Sequence, residues 1–174
     1  MTSNRVVSCP FDINESVVHL LHRADQCTAE TFASRLRHRD LTPRQFAVLM
    51  AVGARDGATQ TTITDDTGID RSTMVDVVRR LMKRGLLQRR RSRTDARSYV
   101  VRLTDDGRDI IDAAMPEAAT VDQVILAALS PAERAAFLSA LTKVIDRLAL
   151  GVPSARALTQ KTQNVHTQRT SVAR

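Results

Sequence analysis

Between Arg79 and Arg102 the chain places ten basic side chains (Arg79, Arg80, Lys83, Arg84, Arg89, Arg90, Arg91, Arg93, Arg97 and Arg102) against a single acid, Asp95. The net charge of this segment exceeds the +7 of the whole 174-residue chain, so the remainder is slightly acidic. Where the charge falls constrains the fold. The segment opens as the end of an apolar-striped helix, breaks at Gly85, and continues as two short strand-like stretches, 86–89 and 98–103, joined by a loop over 90–97. Charge concentrated on a helix end and a hairpin forms a structured surface turned toward a polyanion.

The rest of the chain supplies a helical frame for that element. Residues 1–11 read as a loose leader. Asp12 with Glu15 three residues on is a capping box, and Ile13, Val17, Leu20, Leu21, Ala24, Thr28, Phe32 and Leu36 then form one apolar stripe of a long helix, of the kind that packs against a partner chain. Thr42-Pro43-Arg44-Gln45 opens a second helix with Phe46, Leu49 and Met50 inward. A short helix over 60–67 stops at Gly68, and Asp70 caps a helix over 71–84 with Met74, Val77, Val78 and Leu81 on its buried face. Thr104 caps a helix over 105–129 in which Pro116 is expected to make a kink or to cost one hydrogen bond, depending on packing, and Ser130-Pro131-Ala132-Glu133 opens a last helix through Leu148. From Gly151 the chain is a basic, flexible tail. The expected fold is mostly α: one domain over 12–150, with a helix-turn-helix and hairpin over about 42–104 between long helices over about 12–38 and 105–149.

Composition removes several function classes. Aromatics are 3% with one Tyr, too few for stacking single-stranded bases. No run approaches the roughly 18 apolar residues of a membrane span, and no signal-peptide apolar region opens the chain, so the expectation is a cytoplasmic protein without a membrane partner. No nucleophile with base and orienter, phosphate-binding glycine loop or paired carboxylates suggests an enzyme, and nothing calls for a cofactor. His19, His22 and Cys27 lack the acidic neighbours and spacing of a zinc site. Cys9 and Cys27 read as reduced thiols, with a peroxide-sensing role as the alternative.

A short helix, a tight turn, a second helix with a polar outer face and a basic hairpin together describe a double-stranded DNA reader. Arg71, Ser72, Thr73 and Asp76 lead the second helix, and Arg79 and Arg80 follow one turn on. Ser and Thr reach phosphates or base edges, Asp76 can accept from a cytosine amino group, and Arg suits either. Arg89, Arg90 and Arg91 lie at the start of the hairpin, with Arg93 and Arg97 placed for a flanking minor groove. Each residue also has a plainer reading. Ser72 and Thr73 can serve the helix N-terminus, Asp76 can pair with Arg80, and any one arginine can be solvated. A sequence-neutral architectural DNA-binding protein fits the charge but leaves the Ser-Thr-Asp pattern unused.

The stretches Ile69-Asp70-Arg71-Ser72-Thr73, Leu81-Met82-Lys83-Arg84-Gly85-Leu86, Asp95-Ala96-Arg97 and Leu103-Thr104-Asp105-Asp106-Gly107 resemble, in order and spacing, the MarR family of winged-helix regulators from about Asp12 to Leu148. The resemblance implies a homodimer in which the first and last two long helices interlock, with Asp95 orienting a wing arginine and Arg97 in the minor groove. It also leans toward repression. Asp76 and Val75 depart from the pattern, so base preference does not carry over. Val18-His19-Leu20-Leu21-His22-Arg23-Ala24 and Leu41-Thr42-Pro43-Arg44-Gln45-Phe46 further resemble a branch of the family that answers to aromatic acids or their coenzyme A thioesters. That resemblance implies His22, Arg23 and Phe46 as lining residues for the effector. The plainer alternative is a surface His22 and an ion-paired Arg23. The preference for Arg over Lys suits a GC-rich bacterial genome.

Overall fold

Local capping explains most of the helix boundaries in the computed structural model, which describes residues 12–55, 57–91 and 99–151. In chain order the elements are α1 (Val17–Leu36), α2 (Pro43–Gly53), α3 (Gln60–Thr67), α4 (Arg71–Lys83), β1 (Leu87–Arg91), β2 (Tyr99–Leu103), α5 (Asp105–Leu126) and α6 (Pro131–Gly151). Thr42 and Gln45 form a complete capping box at α2. Helix α4 closes with Gly85 at φ +75°, where the Leu86 N–H reaches the Leu81 carbonyl and the Gly85 N–H reaches that of Met82, each at 3.0 Å. This is the paired-bond C-cap that glycine supports without a Cβ penalty.

Three expectations need correction. Helix α1 starts at Val17, not after Asp12. The Asp12 carboxylate accepts from the nearer Asn14 N–H at 2.8 Å, closing a single 3-10 turn, and extended Ser16 caps α1 by accepting from His19 N–H. Strand β1 runs to Arg91, so Arg90 and Arg91 are strand residues and not loop. They pair with Val100 and Tyr99, because ladder hydrogen bonds ignore side-chain charge while the exposed arginines stay in water. Helix α5 ends at Leu126, short of the expected 129, and contains exposed Pro116. The leader, the segment 92–98 with Arg93, Asp95 and Arg97, and the tail from 152 lie outside the described residues.

The chain divides into two compact units, Met1–Ile125 and Leu126–Arg174. In the first, Leu36, Val48, Leu49, Val52, Ile63, Met74, Val78 and Leu81 are fully buried, and Leu87, Val101 and Leu103 bring the two-stranded antiparallel sheet onto the same core. The start of α5 docks on the end of α4. Thr104 Oγ1 donates to the Gly85 carbonyl at 2.6 Å, and the Leu86 carbonyl accepts from Thr104 N–H at 3.1 Å. A Cβ on Gly107 would stand 2.1 Å from that same Leu86 oxygen, so the approach requires glycine. Apolar side chains remain exposed at the start of α1 (Val17, Val18, Leu20, Leu21), at the middle of α5 (Met115) and at its end (Val124, Ile125). In the second unit, Ser130 and Glu133 cap α6 reciprocally, and Phe137, Leu138, Val144, Ile145 and Leu148 are exposed.

Candidate nucleic-acid interface

Helix α4 is divided lengthwise by its sequence. Met74, Val77, Val78 and Leu81 are buried, while Arg71, Ser72, Asp76, Arg79 and Arg80 are exposed. Its N-terminus is fixed by Asp70, whose Oδ1 accepts from Thr73 N–H at 2.9 Å and from Ser72 Oγ at 2.5 Å. The Ser72 and Thr73 hydrogen bonds hold the Asp70 carboxyl well below the usual carboxylate range. Ser72 therefore does serve the helix terminus, and half-buried Thr73 sits beside it. Asp76 pairs with Arg79 at 3.1 Å, not with Arg80. Both spacings are open on a helix, but Arg80 turns into a groove of about 510 Å³ between α1, α2 and α4, alongside Asp25, Arg44 and Thr73. Arg79 and Asp76 side chains are 73% and 60% exposed, so water screens the pair strongly.

The hairpin lies beside α4. Arg89 and Tyr99 project toward it, with the Arg89 guanidinium 4.0 Å from the Tyr99 ring centroid. This stacking holds a long side chain in place without removing its charge. Between the two elements runs a second groove that also takes in Gln60 and Thr61 at the start of α3. Sequence reading missed those two residues, since neutral side chains on a short helix carry no charge or periodicity signal.

The other end of α4 is clamped. Arg84 donates to the backbone carbonyls of Asp40 at 2.5 Å and Arg39 at 3.1 Å, at a corner where Asp40 takes φ +51°. Arg39 in turn donates through Nε and Nη2 to Glu117 of α5 at 2.8 and 2.5 Å, and His38 Nε2 lies 3.4 Å from the same oxygen. The Arg39 hydrogen bond, with help from His38, lowers the Glu117 carboxyl from its ordinary value. Arg84, one of the ten basic residues of the charged segment, thus has a structural position.

None of the three residues expected to line an effector site borders the grooves described above. Phe46 is half-buried against Phe32, ring centroids 5.6 Å apart. His22 and Arg23 are exposed on α1. His22 contacts Gln26, and Arg23 has no ion pair among the described residues. Cys27 is an exposed free thiol on α1, and Cys9 lies outside the described residues. No group of His, Cys, Asp or Glu side chains among the described residues is arranged to hold a metal, and no single described helix is long and apolar enough to cross a membrane.

Comparison with known proteins gives this geometry its context. The sequence model of the MarR family matches residues 39–98. The HTH-type transcriptional repressor NicR of Pseudomonas putida is 33% identical over 137 residues, 79% of this chain and 87% of that protein. The chain belongs to the MarR family. As a MarR-family winged-helix regulator it also has close structural neighbours. BpsR of Bordetella bronchiseptica, solved in a study of the regulation of its DNA binding by 6-hydroxynicotinic acid, is 34% identical with a TM-score of 0.74, covering 79% of this chain and 99% of that one. The transcriptional repressor CouR, solved bound to a 23-mer DNA duplex, is 34% identical with a TM-score of 0.70, covering 76% and 94%. The expected family and the expected fold, mostly α with a two-stranded wing, both hold.

Proposed function

We propose that this MarR-family chain is a homodimeric, ligand-responsive repressor of transcription acting on a pseudo-palindromic operator. One observation carries the reading: α4 buries one face completely and offers Arg71, Ser72, Asp76, Arg79 and Arg80 along the other, next to a hairpin bearing Arg89, Arg90 and Arg91. In this reading α4 enters the major groove with Arg71, Ser72 and Thr73 leading. The hairpin arginines, with Arg93 and Arg97 beyond them, follow the flanking backbone and minor groove, and Asp95 orients the wing. Two copies place two α4 helices on half-sites roughly 10 base pairs apart. The exposed apolar side chains on α1, α5 and α6 support association, since a lone chain leaves them in water.

Relatives support a reading of the effector class. NicR is a repressor, and BpsR answers to an aromatic acid. An aromatic acid or its acyl-CoA thioester is the proposed ligand. The groove beside α4 supports this, with Arg44 and Arg80 available to a carboxylate, while His22, Arg23 and Phe46 are not among its lining residues. The ligand releases DNA by binding the DNA-incompetent arrangement more tightly. The test is fluorescence anisotropy with DNA flanking the protein's own gene, in excess random DNA and across a salt series. Tight binding that resists competitor, and loses about 0.9 log units per log unit of salt for each neutralised phosphate, supports a specific regulator. Equal affinity for random DNA refutes it in favour of a sequence-neutral architectural protein.

A further inference from the structure

The hairpin has two faces, and only one of them turns toward α4. On the other, Gln88, Arg90 and Arg102 look onto a cleft of about 350 Å³ closed by the end of α2 and the first turns of α5. Its described lining holds five arginines, Arg55, Arg90, Arg91, Arg102 and Arg108, and no carboxylate. These side chains come from four places in the fold: the turn after α2, β1, β2 and α5.

The cleft is built, and not merely a meeting of loose side chains. Arg90 Nε donates to Gln88 Oε1 at 2.8 Å, which sets its orientation. Arg55 is anchored by a two-pronged pair with Asp66 of α3, Nη2 to Oδ1 at 3.1 Å. Arg108 pairs with Asp105 at 3.2 Å by one nitrogen, leaving the rest of its fork to the cleft. Gly57 has φ +102°, and a Cβ there would stand 3.0 Å from both Arg102 Nε and Val100 Cγ2. Glycine therefore lets the loop close onto Arg102 and form the floor. Asp66 and Asp105 pair with Arg55 and Arg108, and Arg90 and Arg91 have no carboxylate partner among the described residues.

Guanidinium groups gathered from separate elements repel one another, and a bound polyanion removes that cost. The planar fork of arginine matches phosphate oxygens in pairs. We propose that this cleft binds adjacent phosphate groups, supplied by a soluble oligophosphate or by the backbone of duplex DNA. The inference does not rest on the DNA-reading role of α4, because its first test contains no DNA.

That test is calorimetric titration of the full chain with sodium triphosphate at fixed ionic strength. One triphosphate should bind per chain. Arg108→Ala and Arg90→Ala should each weaken it about tenfold, as expected for losing a charge-assisted contact, while Arg108→Lys weakens it less. Arg79→Ala, the same charge removed from the α4 side of the sheet, should leave triphosphate affinity unchanged. Thermal melts of each variant confirm that it is folded, and Arg108→Lys carries the test if Arg108→Ala is not. The source is then identified by repeating the titration on chain saturated with random duplex of about three helical turns. Displacement of triphosphate, with Arg108→Ala reducing the salt slope for duplex by about one phosphate, assigns the site to the DNA backbone. Undiminished triphosphate binding to the complex assigns it to a soluble ligand. Absence of saturable binding, or equal weakening by Arg79→Ala and Arg108→Ala, overturns the proposal.

Discussion

Replacing Gly107 by alanine puts a carbon where the fold has none to spare. The added Cβ would stand 2.1 Å from the Leu86 carbonyl oxygen, far inside any real contact, and the obstacle is backbone that cannot swing aside. To relieve it, α5 must retreat from the end of α4. The retreat pulls on the Thr104 N–H to Leu86 bond at 3.1 Å, the Thr104 hydroxyl to Gly85 bond at 2.6 Å, and the Gly107 N–H to Thr104 bond at 3.0 Å. Overpacking costs about 1–3 kcal/mol, and each weakened hydrogen bond about 1 kcal/mol. Alanine's better helix propensity returns about 1 kcal/mol. The net loss is about 3–5 kcal/mol, which for a chain of this size lowers the melting temperature by roughly 6–20 °C. Circular dichroism melts at one protein concentration read this directly. Gly53→Ala is the control: its Cβ would meet Leu103 Cδ1 at 3.0 Å, the movable end of a side chain, so a much smaller drop is expected. A Gly107→Ala protein that melts at or above the wild-type temperature refutes the steric argument.

Asp70→Asn should lower stability at neutral pH, and the deficit should be pH-dependent. Because the folded carboxyl titrates below its ordinary value, its stabilisation is complete above about pH 4 and fades as the pH falls toward the depressed value. Wild-type and variant melting temperatures should therefore converge in acid, and a gap that stays constant from pH 7 to pH 3 contradicts the capping role. Asp76→Ala should tighten binding to random duplex several-fold at low salt by freeing Arg79 and removing an anion from the interface; weaker binding would show that Asp76 contacts DNA favourably. Arg97→Ala should weaken DNA binding across all sequences and flatten the salt dependence, and an unchanged affinity in the anisotropy assay refutes the wing assignment.

Features decided within a few residues were legible in the sequence. The Thr42–Gln45 box, the Ser130–Glu133 box, the Asp70 cap and the Gly85 stop need only neighbours along the chain, and each is present. Asp12 misled because two local donors competed, and the nearer Asn14 N–H won. The arginines at 90 and 91 read as loop because composition shows charge but not the cross-strand partners that make a ladder. The divided face of α4 followed from periodicity. The gathering of Arg55 and Arg108 behind the hairpin did not, since residues on separate helices meet only through tertiary packing.

The fastening of α4 at its far end sets how this helix can be moved. Arg84 ties it to the corner at Arg39 and Asp40, Arg39 ties that corner to Glu117, and Thr104 ties Gly85 to the first turn of α5. A helix held this way cannot swivel alone, as a key turns in a lock. Displacing it strains the ties to the α1–α2 corner and to the root of α5 together, so a load placed in the groove beside α4 is shared among all three.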